Sequence, residues 1–207
     1  MSIIKIIQAG LYFSDLKCYT ISGESIETIG SKMADRKTYF DNCVYIDIET
    51  TGLNPQRDEI IEIGALKILE GEIDSTFSTL VEPDRKISFW ATKINGITNE
   101  MVKGAPKFKD AAREFIEFVG DMIVVAHNAK FDLSFLGRQI KESLNVEFSP
   151  KFIDTLKIAR GVYPYAKSNS LKALSKRLEV DYSGAHRALG DCHITHLCIK
   201  EIRKRLE

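Results

Sequence analysis

Val44-Tyr-Ile-Asp-Ile-Glu-Thr-Thr-Gly-Leu53 is the stretch whose reading decides the fold. It reads as a short buried strand that ends in two acids and then turns at a glycine. Side chains on a strand alternate faces, so Tyr45, Asp47 and Glu49 share one face and Val44, Ile46 and Ile48 share the other. Two adjacent carboxylates repel each other and lose hydration when covered, so a purely structural strand has little use for them. A divalent cation reverses that cost, because hard cations take carboxylate oxygens. Two readings stay open on this stretch alone: a metal-binding wall, and an edge strand whose solvated face carries two acids.

Downstream, Leu53 to Glu59 is turn-rich. Ile60 to Leu69 and Ile73 to Val81 read as strands joined by a tight turn at Glu70-Gly71, which implies an antiparallel meander of three strands. Thr98 to Val102 reads as a short capped helical turn. Phe108, Ala111, Ala112, Phe115 and Val119 recur at helical spacing. Met122 to Ala126 is a continuous apolar run suited to a central strand. A helix follows over Phe131 to Leu144, then a short strand at Phe152 to Leu156, a helix around Leu171 to Leu178, and a long helix from about Arg187 to Arg205. Strands first and alternation afterwards indicate an α/β domain with a mixed sheet. Residues 1–41 form a separate zone, with strand material at Ile3 to Ile7, Leu11 to Phe13 and Cys18 to Ile21, and turn signals at Gly23 and Gly30. The expected division is a small β-rich extension over 1–41 and a main domain over 42–207.

The 207 residues, 44% hydrophobic and 28% charged, suit one globular domain with an appendage. Lys plus Arg equals Asp plus Glu, 29 against 29, so no global positive field draws in nucleic acid. A polyanion must be met by a local basic patch or by metal ions. The cysteines, Cys18, Cys43, Cys192 and Cys198, form no CxxC pair and no dense disulfide framework. The start of the chain is too short and interrupted for a secretory segment, and no span reaches membrane length. A cytoplasmic setting, with no membrane partner, is the expectation.

Two further acids complete a pattern. Asp132 follows the Met122 to Ala126 strand through His127-Asn128 and lies near a helix start, where capping is the commoner role. Its position is nonetheless the edge at which α/β sheets place their sites. His186 and Asp191 are five apart, roughly 140° on a continuous helix, so both face one site only if His186 lies in the loop before the helix. A loop histidine beside metal-bound acids can act as general base on a water. Four acids on three elements plus one histidine are the components of a two-metal phosphodiester site, with ions about 3.5–4 Å apart. Asp47 would bridge the ions, Glu49 and Asp132 would complete the shell, and Asp191 would hold the ion that activates water. Magnesium or manganese fits such a ligand set.

Asp47-Ile-Glu49-Thr-Thr-Gly, His127-Asn-Ala-Lys-Phe-Asp132 and His186-x4-Asp191 together resemble the three motifs of the DnaQ-like, DEDDh 3′→5′ exonucleases of the proofreading type. The resemblance runs from about Cys43 to Ile202 and includes Asp58 to Gly64, Ile94 to Val102, Asp154 to Leu156 and Ser170 to Leu174. It implies an RNase H-like fold, a mixed five-stranded sheet flanked by helices. It also implies two divalent ions held by Asp47, Glu49, Asp132 and Asp191, with His186 as general base. The subtype with tyrosine in place of that histidine expects Tyr-x3-Asp. Position 187 is Arg, and Tyr182 is too far along the chain to serve. Asn95 departs from the family, where histidine is frequent before Gly-Ile-Thr.

In such a fold Thr50, Thr51, Gly52 and Leu53 would lie against the terminal nucleotide. Phe131 would offer an apolar or stacking surface, Phe135 is better placed as core, and Asn128 would bond phosphate or hold its loop. Lys172, Lys176 and Arg177 read as a solvated basic face. Cys192-His193-x-x-His196-x-Cys198 surrounds one helix on several sides, so four ligands cannot converge on zinc. Cys192 and His196 are expected to pack with Leu189 and Ile199. The expected activity is metal-dependent removal of nucleoside monophosphates from single-stranded or frayed DNA 3′ ends, with a DNA polymerase or other replication or repair protein as a partner. RNA ends are the first alternative and a non-catalytic nucleic-acid-binding or polymerase-docking module the second.

Overall fold

The computed structural model describes residues 17–19, 25–28 and 39–206. Its sheet is built around the strand Cys43–Thr50. The central strand β3 (Cys43–Thr50) pairs antiparallel with β4 (Ile60–Leu69), and β4 pairs antiparallel with β5 (Glu72–Leu80), giving the expected meander. On its other edge β3 runs parallel to β6 (Ile123–Ala126), which runs parallel to β7 (Phe152–Asp154). These five strands are the mixed sheet that the sequence predicts. Two short antiparallel strands, β1 (Lys17–Tyr19) and β2 (Ser25–Thr28), extend it beyond β7, with Tyr19 opposite Phe152. The strands expected over residues 3–7 and 11–13, and the turns at Gly23 and Gly30, lie outside the described residues.

Helices cover both faces. On one face α3 (Phe108–Val119) and α4 (Ala129–Leu144) pack Phe115, Val119, Leu133, Phe135 and Leu136 onto Val44, Ile46 and Ile48. On the other, α5 (Thr155–Val162), α6 (Leu171–Leu178) and α7 (Ala188–Leu206) pack Ile158, Leu174, Ile199 and Ile202 onto Cys43, Tyr45, Leu66 and Ile68. Alternation along β3 therefore divides two cores, and each fully buried aliphatic side chain contributes about 1.5–3 kcal/mol. Arg203 near the end of α7 bonds Asp41 at 3.0 Å, tying that helix to the start of β3.

Two helices lie between β5 and α3. The short α2 (Asn99–Val102) is the expected capped turn, with the Thr98 hydroxyl accepting from Met101 N–H at 3.3 Å. The other, α1 (Phe89–Asn95), has no apolar period to announce it, but its caps are present in the sequence. Ser88 accepts from Ala91 N–H at 3.2 Å, and Gly96 closes the helix at φ 73°.

Candidate active site

Asp47 and Glu49 stand on the face of β3 that meets α7, and Asp191 sits in the first turn of α7. One carboxylate oxygen from each of the three lies within 4.8 Å of the other two. Asp132 comes from the far side. Residues 46–50 of β3 run on past the last β6 pairing at Tyr45–Val125, and the first turn of α4 occupies that edge. There the Ile48 backbone N–H donates to the Asp132 carboxylate, which is close enough to Asp47 and Glu49 to raise their proton affinity or feel theirs. Asp132 is buried and lies outside the tight group of three.

The electrostatics are unfavourable without a counter-charge. Burial, then Asp132, Asp191 and Glu49, hold the Asp47 carboxyl well above the usual carboxylate range. Burial with Asp191 and Glu62 pushes Glu49 up to about 7, against a hydrogen bond from Asn95. Burial pushes Asp132 up to about 8, against two backbone N–H donors. Asp191 is raised by burial, against the His186 N–H. Asp191 Oδ1 is buried with no hydrogen-bond partner. An orphaned acceptor in a group of three carboxylates with a fourth beside it fits a hard cation.

These shifts predict a pH dependence. The folded values lie above the unfolded ones of about 4, so protonation favours the metal-free fold. That contribution is complete below about pH 4 and is lost as pH rises through about 7 and 8, where Glu49 and Asp132 ionise. Metal-free protein is expected to melt several degrees lower at pH 9 than at pH 6, with Mn²⁺ restoring most of the difference at pH 9. A melting temperature that ignores both pH and Mn²⁺ over this range contradicts the arrangement.

Asp191 is placed by contacts that the sequence does not advertise. Glu62 on β4 is buried and accepts from Arg187 Nη2 at 2.6 Å, from Arg187 Nε at 3.0 Å and from the Ala188 N–H at 3.0 Å. Its carboxylate thus caps the start of α7 and neutralises the cation beside it. Gly64 lies opposite Asp47 in the β3–β4 register, and a Cβ there would run into the backbone of Ala188 and Leu189. The Cys192 thiol donates to the Gly64 carbonyl at 3.4 Å. The helix therefore rests directly on the strand, which brings Asp191 down to Asp47.

His186 lies in the loop before α7, as the five-residue spacing requires. Its backbone is left-handed at φ 65°, a conformation that costs a residue other than glycine about 1–3 kcal/mol. The His186 N–H donates to Asp191 Oδ2 at 3.3 Å and its ring is exposed. Tyr182, four residues earlier, meets the His186 ring edge-on at 6.0 Å. Burial and the charges of Asp191, Asp47 and Glu49 raise its phenol. Chain separation thus did not keep Tyr182 from the acids, because Ala185 N–H turns back onto the Tyr182 carbonyl at 3.2 Å.

On the opposite rim the Thr50 hydroxyl donates to the Gly52 carbonyl at 2.6 Å, and Thr51 and Glu59 exchange hydrogen bonds of 2.9 and 3.0 Å. The turn is thereby fastened, with Gly52 against the Asp58 carboxylate and Leu53 projecting 82% exposed. Asn95 is buried, and its amide reaches the Thr50 carbonyl at 3.5 Å and bonds Glu49. Asn128 is exposed and left-handed at φ 73°, and its N–H donates to Asp154 Oδ1 at 3.1 Å. Phe131 is half-buried, with its ring centroid 5.0 Å from that of fully buried Phe135. His127 bonds the Thr155 hydroxyl and the Asn169 carbonyl, each at 3.0 Å, and burial lowers its proton affinity, so it ties loops together as a neutral ring.

The cysteine and histidine cluster of α7 packs as expected. Cys192 and Cys198 are buried free thiols, and His196 lies edge-on to Tyr45 at 5.2 Å. On α6, Arg177 is not simply solvated: it bonds Asn169 Oδ1 at 3.1 Å and the Ser168 carbonyl at 3.0 Å. Among the described residues no helix is long and apolar enough to cross a membrane.

A family model described as exonuclease matches residues 44–197. The DNA polymerase III PolC-type of Thermotoga maritima is 39% identical over 181 residues, which cover 87% of this chain and 13% of that protein. The DNA polymerase III PolC-type of Bacillus subtilis is 38% identical over 178 residues, 85% of this chain and 12% of that protein. The chain thus spans about an eighth of the length of these relatives. Among solved structures, exonuclease X in complex with 5′ overhanging duplex DNA superposes with a TM-score of 0.63 at 33% identity, over 78% of this chain and 91% of that one. Escherichia coli exonuclease I in complex with a dA16 oligonucleotide has a TM-score of 0.72 at 19% identity, over 80% of this chain and 41% of that one, a likeness of fold.

Proposed function

This chain belongs to the exonuclease family, and from that premise we propose that it is a metal-dependent 3′→5′ exonuclease of single-stranded or frayed DNA 3′ ends, releasing nucleoside 5′-monophosphates. The observation that carries this reading is the convergence of Asp47, Glu49 and Asp191 within 4.8 Å, with Asp132 behind them and the His186 loop at the mouth. Two divalent cations, magnesium or manganese, would be held by Asp47, Glu49, Asp132 and Asp191 and would supply Lewis-acid stabilisation of the phosphate and a more acidic water.

The chain's own residues do the rest. His186, exposed and tethered through its N–H to Asp191, takes the proton of the attacking water. The fastened turn at Thr50, Thr51 and Gly52 receives the terminal nucleotide, Leu53 packs on its base, and Phe131 and Asn128 border the strand. The DNA assignment is supported by exonuclease X, solved with duplex DNA, and by the PolC-type relatives, whose name also makes a DNA polymerase the expected partner in proofreading. Residues 42–207 are the exonuclease domain in this reading, residues 1–41 an extension of it, and the cytoplasm its compartment, in keeping with the buried free thiols of Cys43, Cys192 and Cys198 among the described residues.

The test is release of mononucleotides from 3′-labelled single-stranded DNA in Mg²⁺ or Mn²⁺, with an RNA strand of the same sequence in competition. Preference for DNA, abolished by chelator and by Asp47→Ala, is the expected result. Faster loss of the RNA strand would move the substrate to RNA, and no product from either would end the proposal. His186→Ala is expected to lower turnover by about 10²–10⁴-fold while Mn²⁺ still binds by calorimetry. Loss of Mn²⁺ binding in that variant would make His186 a ligand instead.

A further inference from the structure

The short helix α1 turns an aromatic face to solvent for which its core has no use. Ala91 and Asn95 point inward, onto a small cluster with Ile61, Ile87, Ile97 and Val102. Phe89 and Trp90 point outward and are 72% and 68% exposed. Their rings meet edge-on at 5.5 Å, and Lys93 Nζ stands 5.3 Å from the Trp90 ring centre. Exposing two large aromatics side by side forgoes burial that any polar residue would not need, so a ligand that covers them is the physical expectation.

The helix is continuous with the acids. Asn95 at its C-terminal end bonds Glu49 and reaches the Thr50 carbonyl at 3.5 Å. Trp90 is five residues away, about 7.5 Å along the helix axis and about 140° around it, on the exposed side that it shares with Ile94 next to Asn95. The axial rise alone equals about two stacked nucleotides at about 3.4 Å each. The helix carries a lysine and no acid, and Lys86 precedes it by two residues beyond its cap. Aromatic faces with interleaved cations hold single strands without regard to sequence, by base stacking and by charge on the backbone.

We propose that Phe89, Trp90 and Lys93 on α1 form a stacking shelf for single-stranded DNA, taking the bases just 5′ of the terminal nucleotide whose phosphodiester is cut. This rests on the exonuclease reading and deepens it. The shelf separates positioning of the strand from the chemistry at the acids. It acts on substrates long enough to reach it, and it is indifferent to base identity.

Trp90 is the sole tryptophan of the chain, so its emission reports the shelf directly. The full chain carrying Asp47→Asn is titrated with a fluorescently labelled oligodeoxythymidylate, following Trp90 emission and the label's anisotropy together. Quenching of Trp90 that tracks the anisotropy is expected. In the otherwise unaltered chain, Trp90→Ala is expected to raise KM for the oligonucleotide about tenfold, and Trp90→Phe to restore most of it. Hydrolysis of the p-nitrophenyl ester of thymidine 5′-monophosphate, which has no upstream bases, is expected to stay unchanged in both variants. Emission that stays constant while anisotropy saturates, or an oligonucleotide KM that Trp90→Ala leaves unchanged, overturns the shelf and leaves the face to a protein partner. Failure of the unaltered chain to cleave either substrate overturns the exonuclease reading instead, and the shelf with it.

Discussion

Asp47→Asn is expected to remove turnover, by on the order of 10³-fold or more, while leaving the metal-free protein at least as stable as the parent. The two halves of that result have one cause. Asp47 lies amid Asp132, Asp191 and Glu49, and burial holds its carboxyl well above the usual range. Asparagine has nearly the shape of the protonated acid, so it fits the strand without the repulsion. It lacks the charge with which Asp47 would hold a divalent cation, and a single preorganised charge-stabilising group is worth about 10²–10³-fold even where it only donates a hydrogen bond. The check pairs kcat on a 3′-labelled strand with melting in EDTA at pH 8. Activity lost together with a melting temperature several degrees below the parent would point to damage of the fold and remove the argument for a ligand. Activity retained would remove Asp47 from the chemistry.

Gly64→Ala is expected to have the second largest effect, and it should appear in stability and turnover together. The added Cβ would meet backbone atoms of Ala188 and Leu189, which cannot rotate away as a side chain can. Either β4 or the start of α7 must shift, and overpacking of this kind costs about 1–3 kcal/mol. The shift lifts Asp191 from Asp47, its neighbour across the cluster, and strains the Cys192 contact to the Gly64 carbonyl. A displacement of about 1 Å at a reacting group can cost about 10²-fold in rate. Thermal melting and kcat measured on the same sample test this, with Mn²⁺ affinity by calorimetry expected to weaken as well. Unchanged Mn²⁺ affinity would show that α7 does not rely on close approach at Gly64 to deliver Asp191.

The aromatic shelf on α1 and the caps on α7 were hidden in the sequence for different reasons. Phe89-Trp-Ala-Thr-Lys-Ile-Asn95 is seven residues with a single small residue, Ala91, and Asn95 facing inward, too short for a helical period to show. Ser88 and Gly96 were the available signals. Glu62 was embedded in a continuous apolar strand, where a charged residue announces a partner without naming it. That partner, Arg187, is 125 residues away. Tyr182 lies nine residues before Asp191, and the turn through Ala185 brings its ring beside His186.

By itself the sequence determined which acids share a face, a strand end or a helix start. Alternation placed Asp47 and Glu49 on one face of β3, the apolar run before His127 put Asp132 just past the end of a buried strand, and the spacing from His186 to Asp191 required a loop before the last helix if both were to face one site. Local geometry suffices for each of these, because strand and helix periods are properties of the backbone. The tertiary structure alone decided how those residues meet. It set Asp132 outside the tight group of three acids, seated α7 on Gly64, clamped it with Glu62 and brought Asn95 to Glu49. Such contacts join positions far apart in the chain, and their energies depend on burial and distance, which exist only once the sheet and its helices have packed.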